Sequence, residues 1–139
     1  MKKATSEEKE ALEKYLLQFL NIEKQFPLLP GISNTGAVAN IFGLEESELT
    51  KLRDTFKQNA KEAALELLKD DDVTDWIDQL PFKPDDTIVA LGDSATDDLQ
   101  SWFRIFSEIL NITVPEADVT FINAGQSNNT TSEALRRIY

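Results

Sequence analysis

Residues 87–98 read TIVALGDSATDD. The first five are apolar or β-branched, a run that fits a strand buried on both faces, as in parallel sheets. The run stops at Gly92. Residues 97–110, DDLQSWFRIFSEIL, then set Leu99, Trp102, Phe103, Phe106, Ile109 and Leu110 on one face of a helix. A second strand signal, DVTFINA, spans 118–124, and TTSEALRRIY opens another helix capped by Thr130 or Thr131. Strand, helix, strand, helix is the βαβ pattern of an α/β fold.

In an open parallel sheet, ligands bind beyond the carboxyl ends of the strands. Ser94 stands two residues past such an end. Gly92 permits a turn that a side chain would obstruct. The following helix directs its free N–H groups and positive dipole end back at the turn. A serine so placed is positioned for nucleophilic attack, with backbone donors for the oxyanion that forms. The plainer reading of Asp93 and Ser94 is a helix cap.

The stretch VALGDSATDDLQSW resembles the first conserved block of the SGNH, or GDSL, hydrolases. The stretch FINAGQSNNTTSEALRRI resembles their second block, roughly Asn-x-Gly-x-Ser-Gly-x-Thr-Thr, through Asn123, Gly125, Ser127, Thr130 and Thr131. The resemblance covers about residues 85–139. It implies a flavodoxin-like α/β/α parallel sheet and a serine ester hydrolase (a lipase or acylhydrolase). It implies Ser94 as nucleophile, with its own N–H and that of residue 128 as oxyanion donors, Asp93 as turn support and Gly92 as the turn itself. Where the family has glycine as the second donor, this chain has Asn128. The backbone N–H survives, provided Asn tolerates the dihedral angles of that loop.

The chain contains no histidine and no cysteine. No His general base can be built from these residues, nor any disulfide or thiolate site. The family's Asn-donor block and Asp-x-x-His block are not among the 139 residues. The expectation is therefore the N-terminal part of a longer hydrolase, inactive by itself, with an incomplete sheet that is marginally stable or self-associates through an exposed strand edge. The alternative is a non-catalytic helical interaction or assembly module.

Residues 1–80 read as an all-helical region and 81–139 as the first βαβ(α) part of the hydrolase domain, with Pro81 and Pro84 at the boundary. Thr5 and Glu8 have capping-box spacing ahead of a helix over 5–24 bearing Leu12, Leu16, Phe19 and Leu20. PLLPGISNTG, 27–36, breaks it. A longer helix over 45–69 carries the stripe Leu49, Leu52, Phe56, Ala60, Ala63 and Leu67. A short helical piece follows around VTDWIDQL.

The first 69 residues hold 10 Lys/Arg against 11 Asp/Glu, and the other 70 hold 4 against 14. That acidic half disfavours nucleic acid and strongly anionic substrates, and otherwise reads as solubility. No apolar run is long enough to span a membrane, and MKKATSEEKEALEKYL lacks the apolar stretch of a secretory signal, so the expected location is cytoplasmic. The expected partner is a small ester (a lipid, an acetylated sugar or an acyl ester), with no cofactor and no metal.

Other residues read more plainly. Gly125-Gln126-Ser127-Asn128-Asn129 imitates Gly-x-Ser-x-Gly without its last glycine, so Ser127 reads as a loop serine bonded to its own backbone. Asp97 and Asp98 could hold a cation with Asp93, but first-turn capping is the preferred reading. Asp70, Asp71, Asp72 and Asp75 read as a solvated helix end rather than a calcium loop. Trp76 and Trp102 are expected in the core.

Overall fold

A computed structural model of the chain describes residues 3–138. It is a mixed helical and sheet structure in which the two strands form one small parallel sheet.

The N-terminal helix begins as foreseen. In α1 (Ser6–Leu12) the Thr5 hydroxyl accepts from the Glu8 N–H while the Glu8 carboxylate accepts from the Thr5 N–H. The expected continuation to residue 24 fails. The chain widens into a π-helical turn at Glu13–Leu17, breaks, and resumes as the short α2 (Ile22–Gln25). The break has a structural use. In a continuous helix the carbonyls of Gln18 and Phe19 would accept from Ile22 and Glu23. Here they face the C-terminal half: Leu99 N–H donates to Gln18 O at 3.0 Å, and Ser127 Oγ lies 2.7 Å from Phe19 O.

After α3 (Thr35–Ile41), the long helix α4 (Glu46–Leu67) buries Leu49, Phe56, Ala60 and Ala64. The stripe thus ends on Ala64, one residue from the predicted Ala63, and Leu67 is exposed. In α5 (Asp71–Ile77), capped by the Asp70 carboxylate, Ile77 enters the core. Trp76, expected in the core, is 57% exposed, while its neighbour Ile77 takes the inward position.

Strand β1 (Thr87–Gly92) pairs with β2 (Thr120–Gly125) from Thr87↔Thr120 to Gly92↔Gly125. Between them lie the single turn α6 (Ser94–Asp97) and helix α7 (Trp102–Thr113), which Ser101 caps. The expected continuous helix from residue 97 is therefore two pieces. Trp102, at the first position of α7, is 55% exposed rather than in the core, its indole N–H reaching Thr96 Oγ1.

One face of the sheet is covered. Ile88 and Phe121 pack with Ile109 and Leu110 of α7 and with Ala64 and Ile77 of α4 and α5, so the helical first half and the strands share a core. The other face is bare: Val89 is 56% and Ile122 47% exposed, and Leu91 is exposed beside them. The expectation of a strand buried on both faces is thus met on one face only among the described residues, because no element covers the second. No helix of the described residues is long and apolar enough to cross a membrane.

Candidate active site

Helix α6 sits directly on the carboxyl ends of both strands, and two glycines make this approach possible. A Cβ on Gly125 would meet Asp97 N at 2.6 Å and the Thr96 carbonyl carbon at 2.8 Å; one on Gly92 would meet Thr96 Oγ1 at 2.2 Å. Neither glycine has a positive φ, so the need is for space rather than for dihedral freedom.

Asp93 caps the turn, its carboxylate accepting from the Ala95 N–H at 3.0 Å and its carbonyl from Asp97 N–H at 2.9 Å. Ser94 is the first residue of α6 and is exposed. Neither its hydroxyl nor its N–H has a hydrogen-bond partner among the described residues. Because α6 is a single turn, it carries little of a macrodipole, and the individual N–H groups matter more than the helix field.

The loop after β2 is held beside this turn. Gln126 N–H donates to Gly92 O at 3.0 Å. Asn128 follows with φ 66°, the left-handed region, where asparagine is among the few residues other than glycine that settle readily. Its N–H also lacks an acceptor among the described residues. Thr130 then caps α8 (Thr131–Arg136) in a capping box with Glu133. Arg137 reaches back to the carbonyls of Ala124 and Gly92 at 2.6 and 3.3 Å, fastening α8 across both strand ends.

Behind the exposed serine lies a buried polar hub. Asp97 does not cap its helix in solvent, as expected; its side chain is fully buried. One carboxylate oxygen accepts from Lys24 Nζ at 2.8 Å, and the other from Ser127 N–H at 3.0 Å, with Ser127 Oγ 2.9 Å away. Ser127 therefore bonds to Asp97 and Phe19 rather than to its own backbone. Its single hydroxyl proton serves one of two acceptors at a time. Lys24 also donates to Asn123 Oδ1 and Gly125 O, each at 3.2 Å. Asn123 completes the set, its Nδ2 donating to Thr96 O at 2.6 Å and its Oδ1 accepting from Gly125 N–H at 2.9 Å. Asp98 points elsewhere, accepting from Gln18 Nε2 and Gln100 N–H. Asp93, Asp97 and Asp98 do not converge, and no three acidic side chains among the described residues are grouped to hold a metal ion.

A cavity of about 520 Å³ opens beside the hub, lined by Lys24, Arg53, Asp97, Phe103, Arg104 and Asn123 among others; Ser94 does not line it. Two ion pairs lie within its lining, Arg53 with Glu23 at 2.5 Å and Lys24 with Asp97.

The structure thus brings Gly92, Asp93, Ser94 and Asn128 to one end of the sheet. Sequence reasoning missed Lys24 and the role of Asp97. For Asp97 the only sequence signal was an acid in the first turn of a helix, which reads as a cap. For Lys24, 73 residues away in sequence, there was none. No family model, no curated protein and no solved structure matches the chain.

Proposed function

We propose that the chain forms the nucleophile-bearing part of a serine ester hydrolase of the SGNH type, built on a flavodoxin-like α/β/α plan. The observation that carries this reading is the pairing of an exposed, unbonded hydroxyl on Ser94 with two N–H groups, of Ser94 and Asn128, that have no acceptor among the described residues. Backbone N–H groups left open beside such a hydroxyl are free to receive a ligand oxygen. The φ of 66° at Asn128 adds support, because the family has glycine there.

In the reaction, Ser94 Oγ forms a bond to the ester carbonyl carbon, and the carbonyl electron pair moves onto oxygen between the two N–H donors. The serine proton passes to a base. With no histidine among the 139 residues, a histidine base belongs to residues outside them. Collapse of the intermediate expels the alcohol, and water then releases the acid from Ser94. Asp93 holds the turn throughout.

The test is a serine-directed fluorophosphonate applied to the full-length native protein, in which the base is present, followed by peptide mapping. The expected adduct is on Ser94. An adduct on another residue, or ester hydrolysis with Ser94 unmodified, overturns the assignment.

A second reading, an assembly unit, draws on the bare face of Val89, Leu91 and Ile122. Backbone groups alternate sides along a strand, so the ladder that uses Ile88, Ala90 and Gly92 leaves those of Thr87, Val89 and Leu91 on the open edge of β1. The outer edge of β2 is capped near its end by Lys24 and Asn123. A second copy would pair on the β1 edge, antiparallel about a two-fold axis. Sedimentation showing a dimer that Val89→Lys dissociates supports this; a monomer at all concentrations removes it.

A further inference from the structure

We infer that Asp97, held in place by Lys24, is a positioning residue that sets the spacing between the two oxyanion donors; this rests on the hydrolase reading of Ser94. The argument is one of connectivity. Asp97 N–H donates to Asp93 O, so its backbone is tied to the residue before Ser94. Its carboxylate holds Ser127 through N–H and Oγ at 3.0 and 2.9 Å, so its side chain is tied to the residue before Asn128. The two donor residues are thus joined through one fully buried carboxylate.

The chemistry of the hub calls for an acceptor there. Lys24 Nζ and Ser127 N–H donate to the Asp97 oxygens, and Ser127 Oγ–H can donate there or to Phe19 O. An amide in its place would turn an NH₂ toward one of these donors. Lys24, from the helical N-terminal region, supplies the charge that lets the carboxylate remain buried. That region therefore serves the site: it neutralises Asp97, fixes Gly125 O, and receives the Ser127 hydroxyl at Phe19 O. Tetrahedral intermediates need both donors within hydrogen-bond reach of one oxygen, and a misplacement near 1 Å costs on the order of 10²-fold in rate.

The experiment compares two double variants of the native protein, K24M/D97N and K24M/D97A. Both remove the buried charge pair, so neither leaves an ion without a partner. Only the first keeps an oxygen that can accept from Ser127 N–H. Two quantities are read well below the unfolding temperature of each: the rate of fluorophosphonate capture at Ser94, and the hydrogen-exchange protection of the Ser127 amide. K24M/D97N should keep Ser127 protected. K24M/D97A should be captured roughly 10²-fold more slowly than K24M/D97N, with Ser127 unprotected. Equal capture rates in two folded variants overturn the positioning role. If the wild type itself is not captured at Ser94, the hydrolase reading fails. The exchange measurement then still decides whether Asp97 ties the loop, and unchanged Ser127 protection in K24M/D97A refutes it.

Discussion

Ser94 and Ser127 hold equivalent places in the chain. Each follows by two residues a glycine at the carboxyl end of its strand, and those glycines, Gly92 and Gly125, are register partners in the sheet. Their surroundings are opposite. Ser127 is buried, with its N–H on Asp97 and its hydroxyl between Asp97 and Phe19. Ser94 is exposed, with neither group engaged among the described residues. What separates them is the helical N-terminal region, whose Phe19 and Lys24 close over the end of β2, while none of its described residues bonds Ser94. A strand-end serine becomes structural when its bonding capacity is used up, and a nucleophile candidate when it is left open.

The sharpest way to break this contrast is to remove each hydroxyl in turn. In the full-length protein with its base present, Ser94→Ala should abolish fluorophosphonate capture and lower ester turnover by on the order of 10⁶, while changing stability by no more than about 0.5 kcal/mol. Ser127→Ala should do the reverse. It should cost about 1–3 kcal/mol by withdrawing a buried hydroxyl from its acceptors, with Ser94 still captured. Mass mapping and urea denaturation read the two effects separately. A reactive Ser127 would reverse the roles.

The glycines sharpen the comparison at the next magnitude. At Gly125 an added methyl meets backbone, Asp97 N and the Thr96 carbonyl carbon, which cannot yield unless α6 lifts from the sheet. At Gly92 it meets the Thr96 side chain, part of which can rotate away. Gly125→Ala should therefore destabilise by about 3 kcal/mol or more and Gly92→Ala by less, seen as a larger fall in urea midpoint at unchanged slope.

Asn128 gives a smaller effect of defined sign. At φ 66°, Asn128→Ala places a Cβ in the left-handed region and should cost about 1 kcal/mol, whereas Asn128→Gly relieves the same position. If the oxyanion role is right, the glycine variant keeps or raises the capture rate at Ser94.

These three residues also show why part of the site was legible in sequence. TIVALG announces a strand by composition, and Gly92-Asp93-Ser94 announces a turn by residue type; both are local signals, and the parallel pairing follows from the helix between the strands. The φ at Asn128 was foreshadowed by the glycine expected there. The Lys24–Asp97 pair was not legible, since no local pattern couples residues 73 apart, and a lysine on a short helix reads as solvent-facing until its carbonyl neighbours are placed. Trp76 and Trp102 misled for a related reason: hydrophobicity names candidates for the core, but the helix phase, set by Ile77 and Phe103, decides which are admitted.

The mildest effect lies just past Asn128. The Glu133 carboxylate accepts from the Thr130 N–H and hydroxyl at 2.6 and 2.9 Å, and the backbone bond first, then the hydroxyl, holds its pKa below the usual glutamate value. A group whose folded pKa is depressed stabilises fully above its unfolded value and loses that contribution as pH falls through the folded one. The α8 cap should therefore be intact at neutral pH and open only in acid, with Glu133→Gln showing no such transition. NMR titration of the Thr130 and Glu133 amides follows it directly. The change should stop at residues 130–134, because Ser127 is anchored independently by Asp97. Exchange that spreads to Ser127 and Asn128 on acidification of Glu133 alone would mean that the cap, rather than the buried carboxylate, holds the loop beside Ser94.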